Sequence, residues 1–279
     1  MSGPYIFFIN LDRAKDRAAY MWACLEKAGL ADTTERVPAL DSRTDSIRNG
    51  FKRGPSSLCY ALDPTEIACW ESHRKAWQHM LDCDLEHAVI FEDDVVFSPD
   101  FKEVLDEVCA HAKDFDLIKL DGIPSRQRLG PAQPCGALTL KSINNVSYSS
   151  AAYLLSRKGA KRLLDESKSY NMGLDLEMFT PRKGWRMWQL FPAICVQGMF
   201  LCNADRAGLP KSVIGGQRKQ DPGHKERFEM EPWWFKIKRL VQVRLTDRYP
   251  NALWRRRKFL RSGGTIEPVA LRDEFARYK

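Results

Sequence analysis

The feature that most constrains this chain is the run Ala88-Val-Ile-Phe-Glu-Asp-Asp-Val-Val-Phe97. His87 to Phe91 is apolar, of strand length and without polar interruption, which predicts a fully buried strand of an α/β sheet. Three adjacent carboxylates follow it, and charges placed there cost stability unless something compensates them. In open α/β sheets, ligands bind just beyond the carboxyl ends of strands. A divalent cation holding a diphosphate is one such compensation, and hard oxygen ligands suit magnesium or manganese. Strand alternation puts Glu92 and Asp94 on one side and Asp93 on the other. The plainer reading caps the next turn with one of them and leaves the others in solvent.

The flanking sequence supports the same class. Tyr5 to Leu11 reads as a strand, Asp12 as a cap, and Ala14 to Ala28 as a helix stopped by Gly29. Leu30 to Leu62 is a mixed, polar excursion of the length that compact domains reserve for functional or disordered loops. Asp63, Pro64 and Glu66 then start a helix in capping-box spacing. Its stripe of Glu66, Trp70, His73, Trp77 and Met80 faces inward. Ser98 caps a helix from Pro99, and Phe115 to Leu120 is another strand. Ala137–Leu140 and Val146–Leu155 alternate like antiparallel strands, and Ser156 opens a helix to about Glu166. The order predicts a mixed sheet, parallel at first. With 279 residues, 44% of them hydrophobic, the chain has ample core material.

Three further groups could carry chemistry. Asn10-Leu-Asp12-Arg13-Ala-Lys-Asp-Arg17 places two arginines four apart at a βα turn, where the helix dipole disfavours cations. They either hold a diphosphate by forked hydrogen bonds or form a solvated face. Glu66 and His73 read as a capping residue and a core histidine, or as contacts to a bound sugar. Asp175 and Glu177 follow Gly173, and each reads as a helix cap or a general base. P-loop, dinucleotide and serine-hydrolase signatures are absent.

The eight cysteines show no C-x-x-C pair, and most sit in apolar periodic segments, which predicts reduced core thiols in the cytoplasm rather than a zinc cluster. The start has no basic lead-in and too short an apolar run for a signal peptide, and nothing approaches eighteen uninterrupted apolar residues. Basic and acidic residues balance at 29 each through His224, whereas the last 55 residues hold 15 basic and 7 acidic. The chain therefore divides into residues 1–224 and a basic, helical extension at 225–279. In that extension Glu231–Arg244 and Asn251–Arg261 join aromatic to basic side chains, a chemistry suited to an anionic membrane surface. The alternative is a basic helix packed on the main domain. Nucleic acid is the poorer partner, because the neutral first 224 residues show no motif for it.

Taken together, these residues resemble glycosyltransferase family 25 of lipopolysaccharide biosynthesis. The resemblance rests on Phe8-Ile-Asn-Leu-Asp-Arg13 with Arg17, Glu66-Ile-Ala-Cys, Ser72-His73 with Trp77, and Ala88 to Val95. It continues in Phe115–Leu120, Ala151–Ser156 with Gly159-Ala160, Asp175 and Pro192–Gln197, covering about residues 4 to 215. It implies a GT-A-like nucleotide-sugar-binding fold and inverting transfer of a hexose, commonly galactose from UDP-galactose, to a lipid-linked saccharide at the inner face of the cytoplasmic membrane. It also implies manganese or magnesium on Glu92 and Asp94. Asn10, Asp12, Arg13, Arg17, Glu66, His73, Glu92 and Asp93 become donor contacts, and Asp175 becomes the base. Pro38-Ala-Leu-Asp41-Ser42 departs from the family, which usually has Asp-Gly there. A metal-dependent nucleotidyl or phosphoryl transferase is the competing enzyme class, because it too wants clustered carboxylates.

Overall fold

In the computed structural model, which describes residues 4–52, 62–202, 208–210 and 251–278, the strand before the acidic run lies inside a nine-stranded sheet, third from one edge. The elements, in chain order, begin with β1 (Ile6–Asn10), α1 (Lys15–Lys27), β2 (Thr34–Pro38), α2 (Pro64–Asp82), β3 (His87–Glu92), β4 (Val95–Phe97) and α3 (Phe101–His111). They continue with β5 (Leu117–Lys119), β6 (Asp121–Gly122), β7 (Gln127–Cys135), β8 (Leu138–Ile143), β9 (Ala152–Ser156), α4 (Arg157–Glu166) and α5 (Leu174–Met178). The last are β10 (Met187–Leu190), β11 (Cys195–Gln197), α6 (Asn251–Arg261) and β12 (Thr265–Glu267). The large sheet runs β12-β7-β8-β10-β5-β9-β3-β1-β2, and β4, β11 and β6 form a small second sheet.

The sheet is mixed, as expected. β1 pairs in parallel with β2 and β3, while β9 is antiparallel to both β3 and β5. The continuous apolar run of β1 makes sense because helices cover both faces. Alternation sends Phe7 and Ile9 to one core with Trp70, Trp77 and Met80 of α2. It sends Ile6 and Phe8 to the other with Met21 and Leu25 of α1 and Leu105 of α3. At about 25 cal/mol per Å² of apolar surface, each such fully buried side chain contributes about 1.5–3 kcal/mol. α4 packs so closely that a Cβ on Gly159 would lie 2.3 Å from the Asp116 carbonyl oxygen.

Several expected boundaries are corrected. The 30–62 excursion contains β2, whose polar sequence Thr-Glu-Arg-Val-Pro hides an edge strand with only Val37 buried. Asp12 does not cap α1; Ala14 stands at that position, and Asp12 pairs with Arg36 instead. The helix expected from Pro99 starts at Phe101, with Asp100 at its cap. β7 carries Gly130, Pro131 and Pro134, which disguised it as loop; it is tolerated beside a register shift between Leu129 and Ala132. Residues 146–151 are not strand.

Of the basic extension, residues 225–250 lie outside those described, and the boundary at 224 lies outside with them. Residues 251–261 form the helix α6. Beyond it β12 adds to the outer edge of β7, Val269 is fully buried beside Ile123, Leu129 and Ala193, and Arg272 pairs with Asp100 of the α3 cap. The end of the chain is thus part of the folded sheet. None of the seven described cysteines is in a disulfide. Only Cys135 and Cys195 are buried, and Cys69, Cys83 and Cys202 lie at the surface, so the expectation of core thiols holds for part of them.

Candidate active site

The residues Glu92, Asp93 and Asp94 close β3 and turn into β4, and their carboxylates part as strand alternation demands. Asp93 turns toward β1 and α1. Asn10 donates to its Oδ2 at 2.7 Å, and Arg17 donates to its Oδ1 at 2.6 Å. Arg17 also reaches Asp94 Oδ2 at 3.1 Å, and its side chain is only 8% exposed. Its fork is committed to the acidic turn. Burial raises the Asp93 pKa, and Arg17 and Asn10 offset part of that rise.

Glu92 and Asp94 lie on the other side and share one donor. The amide of Gln197, carried to them by β11, stands 3.3 Å from Glu92 Oε2 and 3.3 Å from Asp94 Oδ2. Ser150 donates to Glu92 Oε1 at 2.6 Å. Burial opposes ionisation of Glu92, but His73, Ser150 and Lys119 together hold its pKa below the usual value. Asp94 behaves oppositely: burial and then the Glu92 charge push its pKa up to about 7, against the pull of Arg17. Asp94 Oδ1 is buried and has no hydrogen-bond partner. Two carboxylates side by side, Asp94 with an orphaned oxygen and a pKa near neutrality and Glu92 with a lowered one, form an oxygen donor set that fits a hard divalent cation.

A second polar layer lies behind them. Lys119, fully buried, donates to Asp121 Oδ1 at 2.6 Å and to the Ser149 carbonyl oxygen. Ser149 donates through its hydroxyl to Asp121 Oδ2 at 2.7 Å and through its N–H to Asp175 Oδ2 at 3.1 Å. Its φ of 69° lies in the left-handed region, uncommon outside glycine, and three bonds over-determine it. Asp175, in the first turn of α5, also accepts from the Leu176 N–H at 2.8 Å. The adjacent Ser149 and Ser150 therefore tie Asp175 to Glu92 by two hydrogen bonds.

The remaining expected residues are spread around this centre. Asp12 lies at the surface in an ion pair with Arg36 of β2, which also donates to Asn10 Oδ1 at 3.1 Å. Arg13 is held by Asp41, whose pKa its guanidinium lowers in spite of burial. Asp41 thus does structural service in the loop that departs from the family. Glu66 closes the capping box, its carboxylate accepting the Asp63 N–H at 2.9 Å. His73 sits under Glu92, its Nε2 at 3.5 Å from Oε1. A cavity of about 230 Å³ between α2, α4 and α5 is lined by Trp70, Met172, Glu177 and Arg182, among others, and does not include the acidic turn. Gln197, Ser149, Ser150, Asp121 and Lys119 join the site without having been expected there. Lys119 and Asp121 did leave a signal, a cation and an anion two apart at the end of an apolar strand. The serines and the glutamine left none.

The first 120-odd residues carry a family signature as well as this geometry. A model of glycosyltransferase family 25 (LPS biosynthesis protein) matches residues 4–129, a span that includes β1, α2 and the whole acidic turn. Over this segment the chain is similar to glycosyltransferase family 25. A family 25 member from Aedes aegypti is 33% identical over 177 residues, which are 60% of this chain and 28% of that protein. Human procollagen galactosyltransferase 2 is 28% identical over 200 residues, 63% of this chain and 29% of the relative. The mouse inactive glycosyltransferase 25 family member 3 is also 28% identical, over 190 residues, 63% of this chain and 31% of its own length. The chain spans less than a third of these relatives. The same level of identity goes with a named galactosyltransferase and with a protein named inactive, so identity does not decide activity and the site residues must.

Proposed function

We propose that this protein is a metal-dependent, inverting glycosyltransferase moving a hexose, galactose in the first instance, from a UDP-sugar to a lipid-linked saccharide or lipopolysaccharide acceptor. The observation that carries the reading is the under-compensated pair Glu92 and Asp94 at the end of a buried strand. A manganese or magnesium ion held by these two carboxylates would screen the charge of the departing diphosphate. Asn10 and Arg17 hold the turn from behind and keep Asp93 and Asp94 in place. Arg13 and Asp12, nearer the surface, are the donor contacts this reading favours. His73 and Glu66, both on α2, are its further donor contacts.

Asp175 is the base of the reading. Its two oxygens are held by backbone N–H groups from Ser149 and Leu176, which orient the carboxylate and leave lone pairs for an incoming hydroxyl. The carboxylate takes the proton of the acceptor hydroxyl as that oxygen attacks the face of the sugar opposite the diphosphate. The transition state then resembles an oxocarbenium ion, as in glycoside hydrolysis.

The acceptor and location are proposed from α6. Arg256, Arg257, Lys258 and Leu260 are exposed on it, a cationic and partly apolar surface suited to anionic lipid. Among the described residues no helix is long and apolar enough to cross a membrane, so peripheral attachment at the inner face of the cytoplasmic membrane is the form the proposal takes. The test offers nucleotide sugars one by one in manganese. UDP-galactose is expected to release free UDP without pyrophosphate. Pyrophosphate release would identify nucleotidyl transfer, and no release from any donor would end the transferase reading.

A further inference from the structure

Cys69 and His73 stand one turn apart on α2, and Glu92 faces them from the end of β3. Cys69 Sγ, a ring nitrogen of His73 and a Glu92 carboxylate oxygen all lie within 4.8 Å of one another. His73 is 1% exposed, and its Nε2 has no hydrogen-bond partner although it points at Glu92. The 3.5 Å between Nε2 and Glu92 Oε1 is long for an N–H···O bond. It is close to the spacing of about 3.4 Å that two ligands at about 2.0–2.1 Å from a tetrahedral zinc would have.

We propose that Cys69, His73 and Glu92 form a binding site for a borderline-soft transition metal, zinc in the first instance. This site is separate from the oxygen-only position at Asp94, and it does not rest on the transferase reading. The two sites use different oxygens of one carboxylate. Oε1 faces His73 and Ser150, and Oε2 faces Gln197 beside Asp94. Thiolate and imidazole select zinc, cobalt or copper over magnesium and manganese. Three protein ligands leave a fourth position open to water or substrate, the pattern of a reactive rather than a sealed structural zinc.

The surroundings suit the ligands. His73 Nδ1 lies 2.8 Å from the Tyr153 hydroxyl, which also accepts the Trp77 Nε1–H at 2.8 Å. With metal on Nε2, the ring proton resides on Nδ1 and is donated to Tyr153, the outer bond that orients most metal-binding histidines. Burial keeps the Tyr153 hydroxyl neutral, so it can accept from both rings. Cys69 lies at the surface, which gives the ion a path in, and its thiol proton leaves to solvent on binding.

The test uses cobalt(II) on the full chain, because a cobalt–thiolate bond absorbs in the near ultraviolet. One equivalent should raise that band, zinc should remove it, and excess magnesium should not. Cys69→Ser, a surface change expected to leave the melting temperature unaltered, should abolish the band. His73→Gln should weaken cobalt binding about tenfold or more, since even outer-sphere partners are worth that much. Should His73→Gln fail to fold, Cys69→Ser alone decides. Cys83, 4.0 Å from the His79 ring, is the nearby competitor. Absence of the band, or a band that survives Cys69→Ser and disappears in Cys83→Ser, would overturn the proposal. Asp94→Asn separates the two readings, because it should stop sugar transfer and leave the cobalt band intact.

Discussion

The two sides of the acidic turn receive opposite treatment from the fold. On one side Asp93 is matched by an amide and a guanidinium, Asn10 and Arg17, both packed below 8% exposure. On the other side Glu92 and Asp94 share the Gln197 amide, Ser150 donates to Glu92 and Arg17 reaches one Asp94 oxygen, yet the second Asp94 oxygen stays orphaned. Three carboxylates in sequence are thus fully matched on one face and incompletely matched on the other, where the proposed metal would sit. The difference teaches that compensation, rather than the presence of charge, separates a scaffold carboxylate from a functional one.

The largest expected effect lies on the side of Glu92 and Asp94. Asp94→Asn should reduce sugar transfer by orders of magnitude while leaving the protein folded, and chelator should do the same to the native chain, with activity restored by manganese or magnesium. Full activity in either case would remove the metal-dependent reading. The same variant exposes a pH effect. Because the folded pKa of Asp94, about 7, lies above its value in the unfolded chain, metal-free folded protein holds a proton that the unfolded chain has lost. That contribution to stability is complete below about pH 4 and fades as pH rises toward 7, by on the order of 1 kcal/mol per unit. Melting curves of native and Asp94→Asn protein without metal should converge in acid and diverge toward neutrality, the native form being the weaker there.

The paired side should fail in a different way. Arg17→Met leaves Asp93 buried without its cation and should cost about 3–5 kcal/mol of stability in denaturant titrations. Adding Asp93→Asn should recover part of that loss. A stable Arg17→Met protein with weakened donor binding would instead make Arg17 a donor contact, and the contrast between the two sides would break.

A smaller effect is expected at Asp175, which belongs to the functional side through Ser149. Asp175→Asn should lower turnover by on the order of a hundredfold with donor affinity nearly unchanged. A change in donor affinity alone would move Asp175 into the donor site. The smallest effect concerns the far edge of the molecule. Replacing Arg256 and Arg257 by Gln should weaken binding to anionic vesicles at low salt by roughly tenfold or more, at about 1 kcal/mol for each charge. Equal binding would return α6 to the role of an ordinary surface helix.

Much of this was legible before the fold was known. Continuous apolar runs marked β1 and β3, because a strand covered on both faces has no polar side to show. The capping box of α2 was written in Asp63 and Glu66 and is formed by them. Ser156 does cap α4. The missed strands share one cause. β2, β7 and β12 take their strand character from a neighbour's backbone, and their side chains, polar or interrupted by proline, do not advertise it.

The sequence by itself determined an α/β chain, a buried strand ending in three carboxylates, and the split of those carboxylates between two faces, since these follow from local periodicity and from the pleat. Only the tertiary structure decided which face would be neutralised. That choice depends on Arg17 from one helix, Gln197 from a strand about a hundred residues away, and Ser150 from a loop. Hydrogen bonds reach about 3 Å in space whatever the distance along the chain, so the charge state of the site is set by partners that sequence order keeps apart.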